Sequence, residues 1–171
     1  MADEPVLRTV EEDREPDAHR DAPVEARIRR LLTTQRYAVL ATQGDTQPYA
    51  SLVAFAVTDD LSVAVFATPM ATRKYRLLSS CDRVALPVDD RPEHPQELMT
   101  VEAVTATGHA RQVEAGPELE RWAALLIGRH PHLAAFVRAP TCALFHVAIV
   151  RFFHVSRFQE VRQWVPPARQ R

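Results

Sequence analysis

Short segments rich in β-branched and aromatic residues, separated by turn signals, most constrain the fold of this chain. YAVLATQ (37–43) leads to a turn at 44–45, PYASLVAFAV (48–57) leads to a turn at 58–60, and LSVAVFAT (61–68) follows directly. Segments of this length and composition favour β-strands, and connections this short join antiparallel neighbours. The sequence therefore predicts an antiparallel meander of three strands.

The second half of the chain continues the β pattern between short helices. Strand-like segments are RVALPVDD (83–90), LMTVEAVTATGHARQV (98–113) with Gly108 as a bend or bulge, and 142–164 as one long strand or two paired strands. Helical spacing predicts helices from Val24, within 70–80, from Pro117 and in HLAAFV after Pro131. We expect a mainly β (α+β) barrel of six or seven antiparallel strands with peripheral short helices.

The charge distribution divides the chain into two parts. Residues 1–25 carry nine acidic residues against three Arg and predict a largely disordered arm, whereas 26–171 form one domain with a small positive charge. That sign suits a small anionic ligand. The formal net charge of −1 gives no field for a nucleic acid, so we expect no such partner.

No targeting or membrane signal is visible in the sequence. The N-terminal segment is acidic and has no apolar core, and no run of apolar residues approaches the length of a membrane span. We expect a cytoplasmic protein that does not enter a membrane.

Cysteine and histidine spacing gives little support for a metal site. Cys81 and Cys142 are far apart, and both are expected to be small buried residues. His130 and His132 flank a proline but lack a third ligand in register, so we predict no metal. On an unbroken strand, His146 and His154 would face the same side.

The most informative stretch is FATPMATRKYRLLSSCDRVAL (66–86). A strand ends at Thr68, a Pro-containing turn follows, and Thr72, Arg73 and Lys74 stand at the start of a helix. Hydroxyls, cationic groups and free backbone N–H groups together suit a phosphate, although a capped surface helix with solvated cations has the same spacing. Lys74 is the only lysine of a chain with 20 arginines, and a compact ammonium fits where the arginine fork does not.

This stretch resembles the signature of the FMN-binding split-barrel family related to pyridoxamine 5'-phosphate oxidase. The resemblance extends from about Ala26 to Trp164 and includes YAVLAT, PYASLVAF, TRK, DRVAL and VTATGHA. It implies that FMN is the cofactor and that the protein is a homodimer with the flavin at the subunit interface. Ala103 stands where the oxidase has a Gln, which disfavours pyridoxamine phosphate as the substrate.

The resemblance also implies the residues that contact the cofactor. The phosphate and ribityl contacts would be Thr68, Thr72, Arg73 and Lys74. The strand beside the isoalloxazine ring would contribute Tyr49, Ser51, Leu52 and Val53. Asp90 and Arg91, in a "V-D-N-R"-like element, would close over the flavin or bond across the dimer interface, and an exposed turn with a surface ion pair is the alternative.

The functional interpretation is an FMN-dependent oxidoreductase with an unidentified small-molecule substrate or reductant and no identified catalytic residue. Three alternatives stay open: a haem-binding or haem-degrading split-barrel protein, a flavin-binding module without turnover, and a nucleic-acid-binding barrel. The last rests on the basic and aromatic residues of RFFHVSRFQEVRQW (151–164), which more simply fill a core or an interface.

Overall fold

A computed structural model describes residues 22–44, 47–157 and 160–167. Most of the expected acidic arm lies outside these residues. Its last two positions, Val24 and Glu25, already belong to the first helix.

Within the described residues, seven strands form an antiparallel sheet in the order β3-β2-β1-β4-β5-β6-β7. The strands are β1 (Tyr37–Gln43), β2 (Pro48–Val57), β3 (Val63–Pro69), β4 (Arg83–Asp89), β5 (Ala103–Gln112), β6 (Cys142–Ser156) and β7 (Glu160–Trp164). Pairing of β3 with β6 closes six strands into a barrel, and β7 extends the sheet beyond β6. The split β-barrel expected from the sequence is confirmed.

The helices lie between the strands. They are α1 (Val24–Thr34), α2 (Arg73–Ser80), α3 (Pro117–Arg129) and α4 (Ala134–Val137), with short 3₁₀ turns at Arg91–Glu93, Leu98–Thr100 and Pro131–Leu133. Two elements are shorter than their expected segments. The helix expected within 70–80, with Thr72, Arg73 and Lys74 at its start, is Arg73–Ser80, because Thr72 forms a turn with Pro69 and caps the helix. The strand expected from 98 begins at Ala103, after a 3₁₀ turn.

The barrel interior is filled by large apolar side chains from alternate positions of the strands. Phe66 on β3 and Phe145 on β6 are register partners, and their rings stack with centroids 5.5 Å apart. Helix α1 adds Ile28, Leu31 and Leu32 to the same core. Burying a side chain of this size stabilises a fold by roughly 1.5–3 kcal/mol, so this core is the main support of the strands around it.

A second apolar cluster lies on the outer side of the sheet. Trp122 and Leu126 of α3 pack there against Ala56, Val65 and Leu144 of β2, β3 and β6. This cluster holds α3 beside the outward-facing side of β2 and β3.

An extra residue in β6 reverses which side chains face the interior. Thr107 of β5 pairs with Arg151 and Gly108 pairs with Ile149, so Val150 is left without a partner. A β-bulge of this kind shifts the two-residue alternation by one position. Gly108 was expected at a bend or bulge, and the register shift falls next to it.

The bulge corrects the expected placement of two histidines. His154 is fully buried and faces the same side of β6 as the buried Phe152. His146 lies on the outer side, with its ring centroid 6.1 Å from that of Trp122. The expectation that His146 and His154 share a side was wrong because β6 is not regular between them.

Candidate functional site

The junction between β3 and α2 brings two threonine hydroxyls together. Thr68 is fully buried, and its Oγ1 lies 2.9 Å from Oγ1 of Thr72. The Thr72 hydroxyl donates to the carbonyl of Pro69 at 2.8 Å and accepts from the Tyr75 backbone N–H at 3.3 Å. Thr72 is therefore the N-cap of α2, and the amides of the next two residues have no acceptor within the helix.

Lys74 and Arg73 place two positive charges at this helix start. The Lys74 Nζ donates to the Leu52 carbonyl at 3.3 Å, and the Arg73 guanidinium lies 5.0 Å from the centre of the Tyr49 ring. In the described part of the chain, no carboxylate lies within ion-pair distance of either cation. Burial lowers the pKa of Lys74, because desolvation disfavours the ammonium form.

A groove of about 220 Å³ adjoins Lys74 on the outer side of β2 and β3. Its apolar lining is Leu52, Val53, Ala54, Ala67, Pro69, Leu126, Leu133 and Phe136. Leu52 is 64% exposed at the groove, although it lies in the middle of a strand. Along β2, the alternation places the Ser51 side chain on the opposite face from Leu52.

The residues present fit the phosphate group of a flavin. Two cations without carboxylate partners, two hydroxyls and free helix N-terminal amides are the donors that bind phosphate in proteins. The Ser51 Oγ is buried and has no hydrogen-bond partner among the described residues. This side chain lies on the face of β2 opposite Leu52, so Ser51 can meet a flavin beside Leu52 only through its backbone.

Eight of the ten residues expected at the cofactor lie on β2 or at the β3–α2 junction, but Asp90 and Arg91 do not. Thr68 and Lys74 lie at the end of β3, whereas Asp90 and Arg91 follow β4. In the closed barrel, β4 is three strands away from β3 in either direction. Within one chain, Asp90 and Arg91 therefore lie on the opposite side of the barrel from Lys74.

Asp90 belongs to a buried network with α1. Its side chain is fully buried, accepts from Arg30 at 2.8 Å and accepts from the Glu102 backbone N–H at 2.8 Å. Arg91 is instead 69% exposed and pairs with Asp89 at 2.6 Å. Asp90 thus ties α1 to the sheet within one chain, and Arg91 is free to contact molecules outside it.

Sequence reasoning missed Glu102, which is the centre of this network. Its carboxylate accepts from Arg27 of α1 at 2.6 Å and from His154 of β6 at 3.0 Å. Burial alone would raise the pKa of Glu102, but the hydrogen bonds from His154 and Arg27 lower it to about 2. A glutamate before an apolar strand was the available signal, but partners 75 and 52 positions away cannot be identified from spacing.

His130 is held by the backbone. It is fully buried, and its Nε2 lies 2.9 Å from the carbonyl of Phe55, while the ring of His132 is 6.0 Å away. Burial is the largest of the effects that lower the pKa of His130. His130 therefore joins α3 to β2.

Asp90, Glu93 and His94 place ligand atoms within 4.8 Å of one another. Arg30 already donates to Asp90 and lies 3.9 Å from Glu93, so a guanidinium supplies the positive charge that these carboxylates need. We assign no metal to this group. Within the described residues, no helix is both long enough and apolar enough to cross a membrane.

A family model described as "Pyridoxamine 5'-phosphate oxidase" matches residues 24–156 of the chain. The match covers every strand of the closed barrel and the β3–α2 junction. No curated protein matches the chain.

Solved structures with the same fold come from several bacteria. A heme binding protein from Mycobacterium smegmatis is 18% identical with a TM-score of 0.74, over 84% of this chain and 59% of that one. An FAD-binding protein from Mesorhizobium loti is 17% identical with a TM-score of 0.61, over 75% of this chain and 91% of that one. A Clostridium acetobutylicum protein of the pyridoxinephosphate oxidase family, related to general stress protein 26, is 11% identical with a TM-score of 0.65. The alignment covers 82% of this chain and 92% of that one.

These similarities show the fold alone. The chain spans 59% of the length of the Mycobacterium protein, so that protein contains a large part with no counterpart in the aligned region.

Proposed function

Because the chain belongs to the pyridoxamine 5'-phosphate oxidase family, we propose that it binds FMN non-covalently, with the phosphate at the start of α2. The isoalloxazine ring then lies along β2, over the groove that Leu52 and Lys74 line. The proposed contacts are Tyr49, Ser51, Leu52, Val53, Thr68, Thr72, Arg73 and Lys74.

The observation that carries this proposal is the pair of cations at the β3–α2 junction. Arg73 and Lys74 stand beside the hydroxyls of Thr68 and Thr72 and have no carboxylate partner among the described residues. Leaving two positive charges together is unfavourable unless an anion joins them. A doubly charged phosphate ester at this place would accept hydrogen bonds from the cations, the hydroxyls and the first amides of α2.

A homodimer would complete the site. The groove of about 220 Å³ is smaller than the roughly 300–1,000 Å³ of complete small-molecule sites. Leu52, Met70 and Phe136 expose apolar surface near it, at 64%, 38% and 37%. A second copy covering these side chains would enclose the ring. Arg91, expected at the flavin, would approach it only from that copy, whereas Asp90 is buried within its own chain.

The proposed activity is oxidation or reduction of a small molecule. FMN bound here would supply hydride or electron transfer. The chain would bind the phosphate through Lys74 and Arg73, orient the ring along β2 and exclude water with Leu52 and Phe136. A nicotinamide, a deazaflavin and a small oxidisable compound are the classes of reaction partner to screen.

The absorption spectrum tests the proposed cofactor. The purified full chain is mixed with excess FMN, passed through a gel-filtration column and measured in the visible range. We expect flavin bands at about one FMN per chain, and a colourless protein after the column would refute FMN binding. If flavin is retained but no reductant changes its oxidation state, the protein is a flavin-binding module and the activity proposal fails.

Haem binding is the second candidate, favoured by the similarity in fold to the Mycobacterium smegmatis protein. His130 and His154 are buried and hydrogen-bonded through Nε2, so neither is free to ligate an iron without breaking a contact. A Soret band after incubation with hemin and gel filtration would favour this candidate, and its absence together with retained FMN would exclude it.

A further inference from the structure

A second groove, of about 710 Å³, lies on the outer face of β1, β4, β5 and β6. None of the ten residues expected at the flavin lines it. Its volume falls within the usual range of complete small-molecule sites, roughly 300–1,000 Å³. The groove therefore needs an explanation that the flavin proposal does not supply.

Small residues on neighbouring strands create this concave surface. Ala41 pairs with Ala85, Ala85 pairs with Thr107, and Gly108 has no side chain at all. Val150, the extra residue of the β6 bulge, is 50% exposed and also lines the groove. The surface of the groove is thus apolar, and its small side chains leave room for the apolar part of a ligand.

Arg83 gives the groove a cation that suits an anion, and His109 lies beside it. Arg83 and His109 face each other across β4 and β5, and both line the groove. Directly opposed residues have Cβ atoms about 5 Å apart, so one bound compound can contact both side chains. In the part of the chain that the structure describes, no carboxylate lies within ion-pair distance of Arg83.

His109 is held in a defined orientation. Its Nδ1 lies 2.9 Å from a carboxylate oxygen of Asp82, whose backbone carbonyl accepts from the Ala110 N–H at 2.7 Å. A carboxylate on one ring nitrogen fixes the tautomer and leaves the other nitrogen for a ligand. The His109 side chain is 47% exposed, so its Nε2 is open to a bound molecule.

We propose that this groove is a second small-molecule site, which binds a compound with an apolar body and one carboxylate or phosphate group. Arg83 binds the anionic group, the Nε2 of His109 accepts a hydrogen bond from a hydroxyl or N–H group of the compound, and the body rests on Ala41, Ala85 and Val150. Asp82 is the positioning residue for His109. The site is separate from the Lys74 groove, so each proposal stands or fails without the other.

Anilinonaphthalene sulfonate, a fluorescent apolar anion, tests this site on the purified full chain. We expect saturable binding that Arg83→Ala weakens about tenfold or more, as loss of a charge-assisted hydrogen bond requires. Val150→Trp, which fills the groove from its edge, should abolish binding. Arg111→Ala, an exposed arginine of β5 outside the groove lining, and Lys74→Ala should leave the affinity within about twofold.

Displacement of the dye identifies the recognised group. Naphthoate or naphthyl phosphate should displace it, and the stronger of the two identifies the anion, whereas naphthalenemethanol at the same concentration should not. Equal displacement by the neutral alcohol, unchanged affinity in Arg83→Ala, or loss of the signal in Lys74→Ala would overturn the proposal. Conversion of a dimer to a monomer by Val150→Trp would also overturn it, since a second copy would then cover this face.

Discussion

The Nζ of Lys74 lies 3.3 Å from the carbonyl oxygen of Leu52, which joins the first turn of α2 to the strand on which the flavin ring is proposed to lie. One contact thus positions both halves of the proposed site, the phosphate end and the ring end. The nearby hydroxyl pair of Thr68 and Thr72 fixes the same turn from the β3 side.

Replacing Thr72 should affect both stability and binding. Thr72→Ala removes the N-cap of α2 and should lower the free energy of unfolding by about 1 kcal/mol. It also removes a hydroxyl from the proposed phosphate site, so FMN affinity should fall. Urea denaturation and FMN fluorescence titration measure the two effects. Thr72→Ser keeps the hydroxyl and should preserve both, and a loss as large as that of Thr72→Ala would argue against the capping role.

Glu102→Gln should destabilise the chain in a pH-dependent way. The variant leaves Arg27 and His154 without their buried carboxylate, at a cost of about 3 kcal/mol near neutral pH. The pKa of Glu102 falls from an ordinary 4.5 to about 2 on folding, so its contribution is complete above 4.5 and is lost as pH falls toward 2.

The stability difference between wild type and Glu102→Gln should therefore be constant above pH 4.5 and narrow below it. Denaturant titrations at a series of pH values measure that difference. A stability difference that stays constant as the pH falls from 4.5 toward 2 would show that folding does not lower the pKa of Glu102.

Gly108→Ala should be strongly destabilising. The added Cβ would lie 2.3 Å from the carbonyl oxygen of Ala148, which belongs to the backbone of the paired strand and cannot move aside cheaply. We expect a loss of about 3 kcal/mol. Gly128→Ala is the matched control, because nothing lies within 4 Å of its added Cβ in α3 and alanine favours helix. The melting temperature of Gly128→Ala should equal or exceed that of wild type. An equal loss of stability in the Gly108 and Gly128 variants would contradict the close approach of Gly108 to β6.

Leu52→Glu tests the proposed dimer. A charge on this 64% exposed leucine should separate the subunits and reduce FMN retention, because the groove would lose the copy that encloses it. Ala124→Glu, on the exposed side of α3, is the control. Light scattering after gel filtration gives the mass of each variant. A dimeric Leu52→Glu protein that still retains FMN would place the interface elsewhere.

Local patterns predicted the first half of the barrel better than the second. β1 and β2 begin and end where alternation and turn residues placed them, because hairpin strands are specified by neighbouring residues. Gly108 indicated a bend or bulge in β5, but the extra residue is Val150 of β6, whose position depends on how β6 pairs with β5. The network of Arg27, Glu102 and His154 was missed for the same reason: its members come from three elements that only the closed barrel brings together.

The affinity of the protein for FMN relative to riboflavin shows whether the start of α2 binds the phosphate of a flavin. The two ligands share the ring and the ribityl chain and differ by the phosphate, so their ratio isolates the contacts at the start of α2. Wild type should prefer FMN by about tenfold or more. Lys74→Ala should remove most of that preference, whereas Arg76→Ala, which removes an exposed cation of the same helix, should leave it unchanged. An equal preference for FMN in wild type and Lys74→Ala would show that Lys74 does not bind the phosphate, and no binding of either flavin would refute the flavin site.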